Sequence, residues 1–376
     1  MSIKISQQFD AGAIEVLRAD DAAAIELNLR KDSHADILQW FYFRLQGGAG
    51  TPCTMRFLNA GQASYADGWT DYRAVASYDR VTWFRVPTDY DGAVMTIRHT
   101  PEHDSVYYAY FEPYPWERHL TLLDRAQLSP LVRLVDLGDT VEGRDMNLLV
   151  VGNPDAAKKV WVIARQHPGE TMAEWFVEGF LDALLDRANP TARQLLKEAA
   201  FYVVPNMNPD GSVRGNLRTN AAGANLNREW LSPTMERSPE VFLVKRKMQE
   251  TGCDLCLDVH GDEGLPYVFV AGSESLPGFT PAQAEAQQYF IDNFLIASPD
   301  FQDEHGYGET PFTDETLTMG STNVTHTFGC LSLTLELPFK DNANDPDPLT
   351  GWNGARSAAL GKAVLQPLLL SLQANG

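Results

Sequence analysis

Three side chains in two short segments have the types and spacing to share one metal ion. His167 and Glu170 stand three residues apart in Arg165-Gln166-His167-Pro168-Gly169-Glu170, directly after the apolar run 160–164. A histidine and a glutamate at that spacing offer one nitrogen and one carboxylate to the same ion, and Pro168-Gly169 permits the tight turn this needs. A catalytic zinc site takes three protein ligands and leaves a fourth position for water, so a third ligand should end another strand. His260 does so, following the run 254–259 and preceding Gly261. A strand-end histidine alone is more often packed or solvated than ligating; its pairing with His167 and Glu170 changes that weighting. Glu336 is the one charge in the apolar run Leu331–Pro338. An unpaired carboxylate there would cost several kcal/mol or titrate upward, which calls for a purpose.

These residues need elements that deliver them to one edge. The runs 147–151, 160–164, 201–204, 255–259 and 331–335 read as buried strands, and 171–187 as a long helix with apolar Phe176, Phe180, Leu181, Leu184 and Leu185 on its face. Strands separated by helices indicate an α/β domain with a mixed or parallel central sheet, and in such sheets ligand sites gather at the carboxyl ends of the strands. Residues 1–115 have another texture. Short aromatic and β-branched runs at 40–45, 81–86, 93–98 and 106–111 alternate with turn clusters such as 47–52 and 87–92, which reads as an all-β sandwich. No metal-ligand spacing occurs in that half, so a structural or partner-binding role is expected of it. Pro113 and Pro115 suit a stiff connector, placing a second domain at 116–376.

The remaining histidines, 34, 99, 103, 119, 305 and 326, have no such partner at short spacing and read as structural or exposed, with His326 near enough to Glu336 in sequence to line a pocket. Cys53, Cys253, Cys256 and Cys330 are too few and too irregular for a disulfide framework, and Cys253/Cys256 lacks the second pair a four-thiolate zinc site needs. Buried, inert thiols in a reducing compartment are expected.

Between the two metal segments run Asn206-Met207-Asn208-Pro209-Asp210-Gly211, then Gly215-Asn216-Leu217-Arg218, then Asn225-Leu226-Asn227-Arg228. This arrangement resembles the zinc carboxypeptidase family, in which Asn-Pro-Asp-Gly and a later Asn-Arg separate two zinc-binding segments. The resemblance implies one zinc per chain on His167, Glu170 and His260. It also implies that Asn227 and Arg228 hold the substrate's terminal carboxylate, and that Arg218 stabilises the oxyanion formed when water attacks the scissile carbonyl. Glu336 would be the general base that activates the water and returns its proton to the departing amine.

Within that family the nearest likeness is to cytosolic carboxypeptidases, which carry an N-terminal β-sandwich; residues 39–44 and 108–114 look like that branch's motifs. Gly169 stands where digestive relatives carry a substrate-binding arginine. Asn225 stands where many relatives place an aspartate behind a zinc-bound histidine, and a neutral amide polarises that imidazole less. Eukaryotic relatives remove glutamate with a basic pocket residue ahead of the catalytic glutamate, whereas 261–335 contains neither Lys nor Arg. Asn323 would occupy that pocket position, Tyr307 would cap bound substrate, and Arg214, Arg237 or Lys340 would have to supply any cation from elsewhere. A glutamate preference therefore does not follow.

With 376 residues, a net charge of −20 spread along the chain and no apolar run long enough to span a bilayer, nucleic acid and anionic membrane are poor partners. Nothing in residues 1–20 has the layout of a secretory signal, and a cytoplasmic protein acting on peptide or protein C-termini is expected. The composition leaves monomer and homo-oligomer equally open. Two other readings compete: a zinc amidohydrolase that deacylates N-acyl amino acids, and a catalytically silent binder of acidic peptide tails.

Overall fold

The computed structural model describes residues 3–308 and 311–374. Its first part is two five-stranded sheets. One runs Lys4–Ser6, Tyr42–Gln46, Ser105–Ala109, Val75–Ser77, Phe84–Arg85; the other runs Glu15–Arg18, Ile25–Asn28, Cys53–Phe57, Met95–His99, Thr88–Tyr90. Alternating apolar residues point between the sheets, where Phe43 stacks on Tyr108 at 5.3 Å and meets Phe57 of the other sheet at 6.2 Å. The strand expected at 81–86 shrinks to Phe84–Arg85. Asp79 explains this: its carboxylate accepts the amides of Val81 and Thr82, so a turn replaces the start of the strand and leaves Val81 exposed. Pro87 stops the strand at its other end.

The second part is a seven-stranded mixed sheet in the order Val132–Asp139, Asp145–Val151, Ala199–Val204, Lys158–Ala164, Leu255–Asp262, Leu331–Pro338, Phe269–Ala271. The four strands from Ala199–Val204 to Leu331–Pro338 are parallel, and the outer pairings are antiparallel. Helices cover the sheet, so the central strands are apolar on both faces. Helix Met172–Leu184 ends three residues short of the expected 187, where Asp186 caps the Ala188 amide and Asn189 caps the next helix, Pro190–Glu198. The strand carrying His260 runs on to Asp262. His260 is therefore two residues inside it instead of at its end, paired in register with Glu336.

The two parts share one continuous core. Tyr110 stacks on Phe339 at 4.5 Å, and the buried Arg85 gives its guanidinium to the carbonyls of Arg73, Phe339, Lys340, Thr350 and Trp352. Among the described residues no helix is long and apolar enough to cross a membrane.

Candidate active site

The metal turn begins with Arg165, a buried non-glycine residue at φ 59°, a left-handed conformation held only because its surroundings fix it. Its guanidinium donates to Pro168 O at 2.9 Å, to Tyr114 O at 2.9 Å and to Glu174 at 2.7 Å. Glu174 also meets His119 Nδ1 at 2.6 Å and Asn206 Nδ2 at 3.2 Å, so a buried charge network sets the path of the turn. Gly169 donates to Leu217 O at 2.8 Å, and a β-carbon on it would stand 2.8 Å from the Leu217 side chain and 3.0 Å from its Cα. Glycine is thus required by close approach.

This geometry brings His167, Glu170 and His260 together, with one ligand atom from each within 4.8 Å of the others, all buried. His167 Nδ1 and His260 Nδ1 face each other at 3.2 Å and meet the two Glu170 oxygens at 2.6 and 2.9 Å. Two ring nitrogens and a carboxylate converging on one point suit a divalent cation with nitrogen and oxygen preference. The far nitrogens are engaged as such a site requires. His167 Nε2 lies 3.0 Å from Asn225 Oδ1, and His260 Nε2 lies 3.0 Å from Asp258 Oδ1. An Nε2–H directed at Asn225 Oδ1 leaves the His167 Nδ1 lone pair free for metal, while His260 Nε2 is flanked by Asp258 Oδ1 and, at 3.4 Å, by Gln166 Nε2. Behind them, Trp230 Nε1 donates to Gln166 Oε1 at 2.8 Å and Gln166 Nε2 donates to Asp258 Oδ2 at 2.6 Å.

Electrostatics divide the ligands. Burial, with Arg218 nearby, lowers His167 to about 4, whereas Asp258 and Glu170 overcome burial and hold His260 well above its usual range. Burial opposes the Glu170 charge, but the two histidines outweigh it and keep that carboxyl low. Glu336 is pushed up to about 8, chiefly by burial and further by Glu170 and Asp262. Its Oε1 accepts from the Tyr307 hydroxyl at 3.0 Å; its Oε2 is buried with no partner among the described residues.

Tyr307 also reaches Asp262 Oδ2 at 2.7 Å and packs edge-on against Phe269. Arg218 is half-buried, with the Tyr65 ring 5.3 Å beneath its guanidinium. Arg228 is exposed and bonds to the carbonyl of Asn227, whose side chain accepts the Gly320 amide at 2.7 Å. Asn323, in helix Gly320–Phe328, spends its amide on Leu317 O at 2.8 Å. Arg214 is tied to Glu142, Arg237 to Glu229, and Lys340 to Gly264 O.

Sequence reasoning missed Asp258, Gln166, Arg165 and Glu174, and from the sandwich Asp32 and Tyr65. Asp258 had a signal: a charge two residues before His260 in an apolar strand lies on the same face. The sandwich residues had none, because their partners lie some 150 to 190 positions away.

An α/β sheet presenting a His, Glu, His cluster and a buried glutamate at its strand edge defines a metal-dependent hydrolase. Residues 121–343 match the zinc carboxypeptidase family, and residues 5–111 match the cytosolic carboxypeptidase N-terminal domain. The chain is 57% identical to a metallo-carboxypeptidase structure from Burkholderia cenocepacia, covering 99% of this chain and 100% of that one with a TM-score of 0.98. It is 45% identical to a Pseudomonas aeruginosa metallo-carboxypeptidase solved in complex with (2-guanidinoethylmercapto)succinic acid, covering 98% and 100% with a TM-score of 0.95. An uncharacterised Zymomonas mobilis protein is 42% identical over 100% of this chain and 99% of its own. Human cytosolic carboxypeptidase 2 is 29% identical over 72% of this chain, which spans 34% of the human protein. The chain belongs to the zinc carboxypeptidase family.

Proposed function

We propose that this metallocarboxypeptidase removes single residues from peptide or protein C-termini with one zinc held by His167, Glu170 and His260. The observation that carries the reading is the register pairing of His260 with Glu336, which sets a buried carboxylate, one of whose oxygens has no partner among the described residues, beside the three-ligand cluster. When bound, the zinc supplies Lewis acidity and lowers the pKa of a coordinated water.

Glu336 takes the proton of the attacking water at its free Oε2 and later delivers it to the leaving amine. Its raised pKa favours the uptake step. Arg218, with no hydrogen-bond partner for its guanidinium among the described residues, faces the charge that develops on the scissile carbonyl oxygen. Arg228 and Asn227 bind the terminal carboxylate, in keeping with a relative that accommodates a succinic acid derivative. Tyr307 closes over the substrate from the position where its hydroxyl now rests on Glu336.

Asn323 brings an uncharged amide to the position ahead of Glu336, and the engagement of Arg214 with Glu142, Arg237 with Glu229 and Lys340 with Gly264 O argues against a glutamate-selective cation. Four free cysteines support a reducing, cytoplasmic setting.

The test is mass spectrometry of zinc-loaded protein on peptides differing only in the last residue. Wild type should release one C-terminal residue, across several residue types. Cleavage of N-acyl amino acids in place of peptides, or no hydrolysis with zinc bound, would replace this reading by a deacylase or a binding protein.

A further inference from the structure

The loop 30–35 of the sandwich lies along 214–223 of the catalytic domain, and its contacts concentrate on the turn that bears Arg218. Asp32, buried at 6% exposure, accepts three successive amides: Leu217 at 2.7 Å, Arg218 at 2.8 Å and Thr219 at 2.9 Å, with the Thr219 hydroxyl at 3.1 Å. Next to it, Ser33 donates its amide and hydroxyl to Asn216 Oδ1 at 3.1 and 3.2 Å, and Arg30 bonds to the carbonyl of Arg214. A buried carboxylate that accepts four hydrogen bonds fixes the backbone it holds far more firmly than loop residues fix themselves.

The held turn touches the metal site twice. Leu217 O takes the Gly169 amide, and Thr219 bridges Asn225, whose side chain stands behind His167. At its far end the Arg218 guanidinium rests on the ring of Tyr65, also from the sandwich, and feels the carboxylates of Glu263, Glu170 and Glu336. Both ends of Arg218 are thus set by the domain that carries no metal ligand.

We propose that Asp32 is a positioning residue for catalysis, clamping the turn that aims Arg218 at the reacting carbonyl while Tyr65 supports the guanidinium. The sandwich is therefore part of the reaction machinery. This inference rests on the reading of Arg218 as the oxyanion-stabilising group.

The experiment is a double-mutant cycle on the full-length, zinc-loaded enzyme with a peptide substrate, using Asp32→Asn, Arg218→Ala and the pair, with zinc content and melting temperature followed in parallel. Misaiming a transition-state group costs rate more than substrate binding, so Asp32→Asn should lower kcat by about tenfold or more and change KM by less than about threefold. In the Arg218→Ala background the same change should cost almost nothing, because its target is gone. An unchanged kcat in Asp32→Asn, or losses that multiply in the pair, would overturn the proposal while leaving the reading of Arg218 intact. Full activity of Arg218→Ala alone would remove that reading and the proposal with it. If Asp32→Asn does not fold, Tyr65 carries the test. Tyr65→Leu should then lose more kcat than Tyr65→Phe and show no added loss with Arg218→Ala; equal rates for Leu and Phe would overturn it.

Discussion

The two sides of the active site are built by different means. On the metal side, His260 and Glu336 lie opposite each other on adjacent parallel strands, so the ladder of a buried sheet sets their separation. The turn of His167 and Glu170 springs from the neighbouring strand and is braced by Arg165 and Glu174 inside the same domain. On the arginine side, Arg218 sits on irregular chain whose order is borrowed from the sandwich through Asp32, Ser33 and Tyr65, while Arg228 ends the short turn Leu226–Arg228. A metal ion tolerates little error in ligand distance, which suits regular structure; a long arginine reaching for an oxyanion or a carboxylate can be aimed from a loop if something else immobilises it. The contrast explains why a domain without metal ligands abuts the site.

Several substitutions would sharpen or break this contrast. Glu336→Gln has the largest expected effect, a loss of about 10³-fold or more in kcat with metal content unchanged, because the amide cannot take a proton. Steady-state kinetics beside metal analysis checks it, and retained activity would remove the sheet-borne carboxylate from the chemistry.

Next comes the seam between the domains. Replacing Arg85 with Met leaves the carbonyls of Phe339, Lys340 and Trp352 without their buried donor and should destabilise the protein by about 1 to 3 kcal/mol. Urea unfolding monitored by tryptophan fluorescence measures this. Behind the metal, Asp258→Asn should weaken zinc binding by about 10- to 100-fold, read by competition with a chromophoric chelator, since the carboxylate that orients and polarises His260 is lost. An unchanged zinc affinity would show that the sheet alone fixes that ligand.

The smallest expected effect belongs to Glu112, at the junction of the two parts, where burial lifts the carboxyl to about 7 although Gly354 N donates to it. Between the ordinary glutamate value of 4.5 and about 7 the folded state keeps a proton that the unfolded chain releases. Folding stability attributable to this group is therefore greatest below that window and falls as pH rises through it, by on the order of 2 kcal/mol. Urea midpoints for wild type should decline from pH 5 to pH 8, and Glu112→Gln should flatten the decline.

The candidate metal ligands and Glu336 were legible because each breaks a local pattern: a His and a Glu at ligand spacing after an apolar run, a His after another, a lone carboxylate in a third. The order of an all-β part followed by an α/β part was legible from texture, since alternation and turn clusters are written within a few residues of one another. Strand limits were less so. The fate of 81–86 turned on the side chain of Asp79 capturing two amides, and the continuation of the His260 strand to Asp262 depended on a partner strand more than seventy residues later.

What the sequence determined by itself, then, is the list of reactive groups and the strands that carry the metal side, because those depend on spacing along the chain. What only the tertiary structure decided is how the site is held. The Asp258 and Gln166 relay behind His260, the reach of His119 to the buried Arg165–Glu174 pair under the metal turn, and the grip of Asp32 and Tyr65 on Arg218 all join residues distant in sequence. Such contacts leave no local periodicity: the first two come into being only when separate elements of the α/β part pack together, and the third only when the sandwich packs against that part.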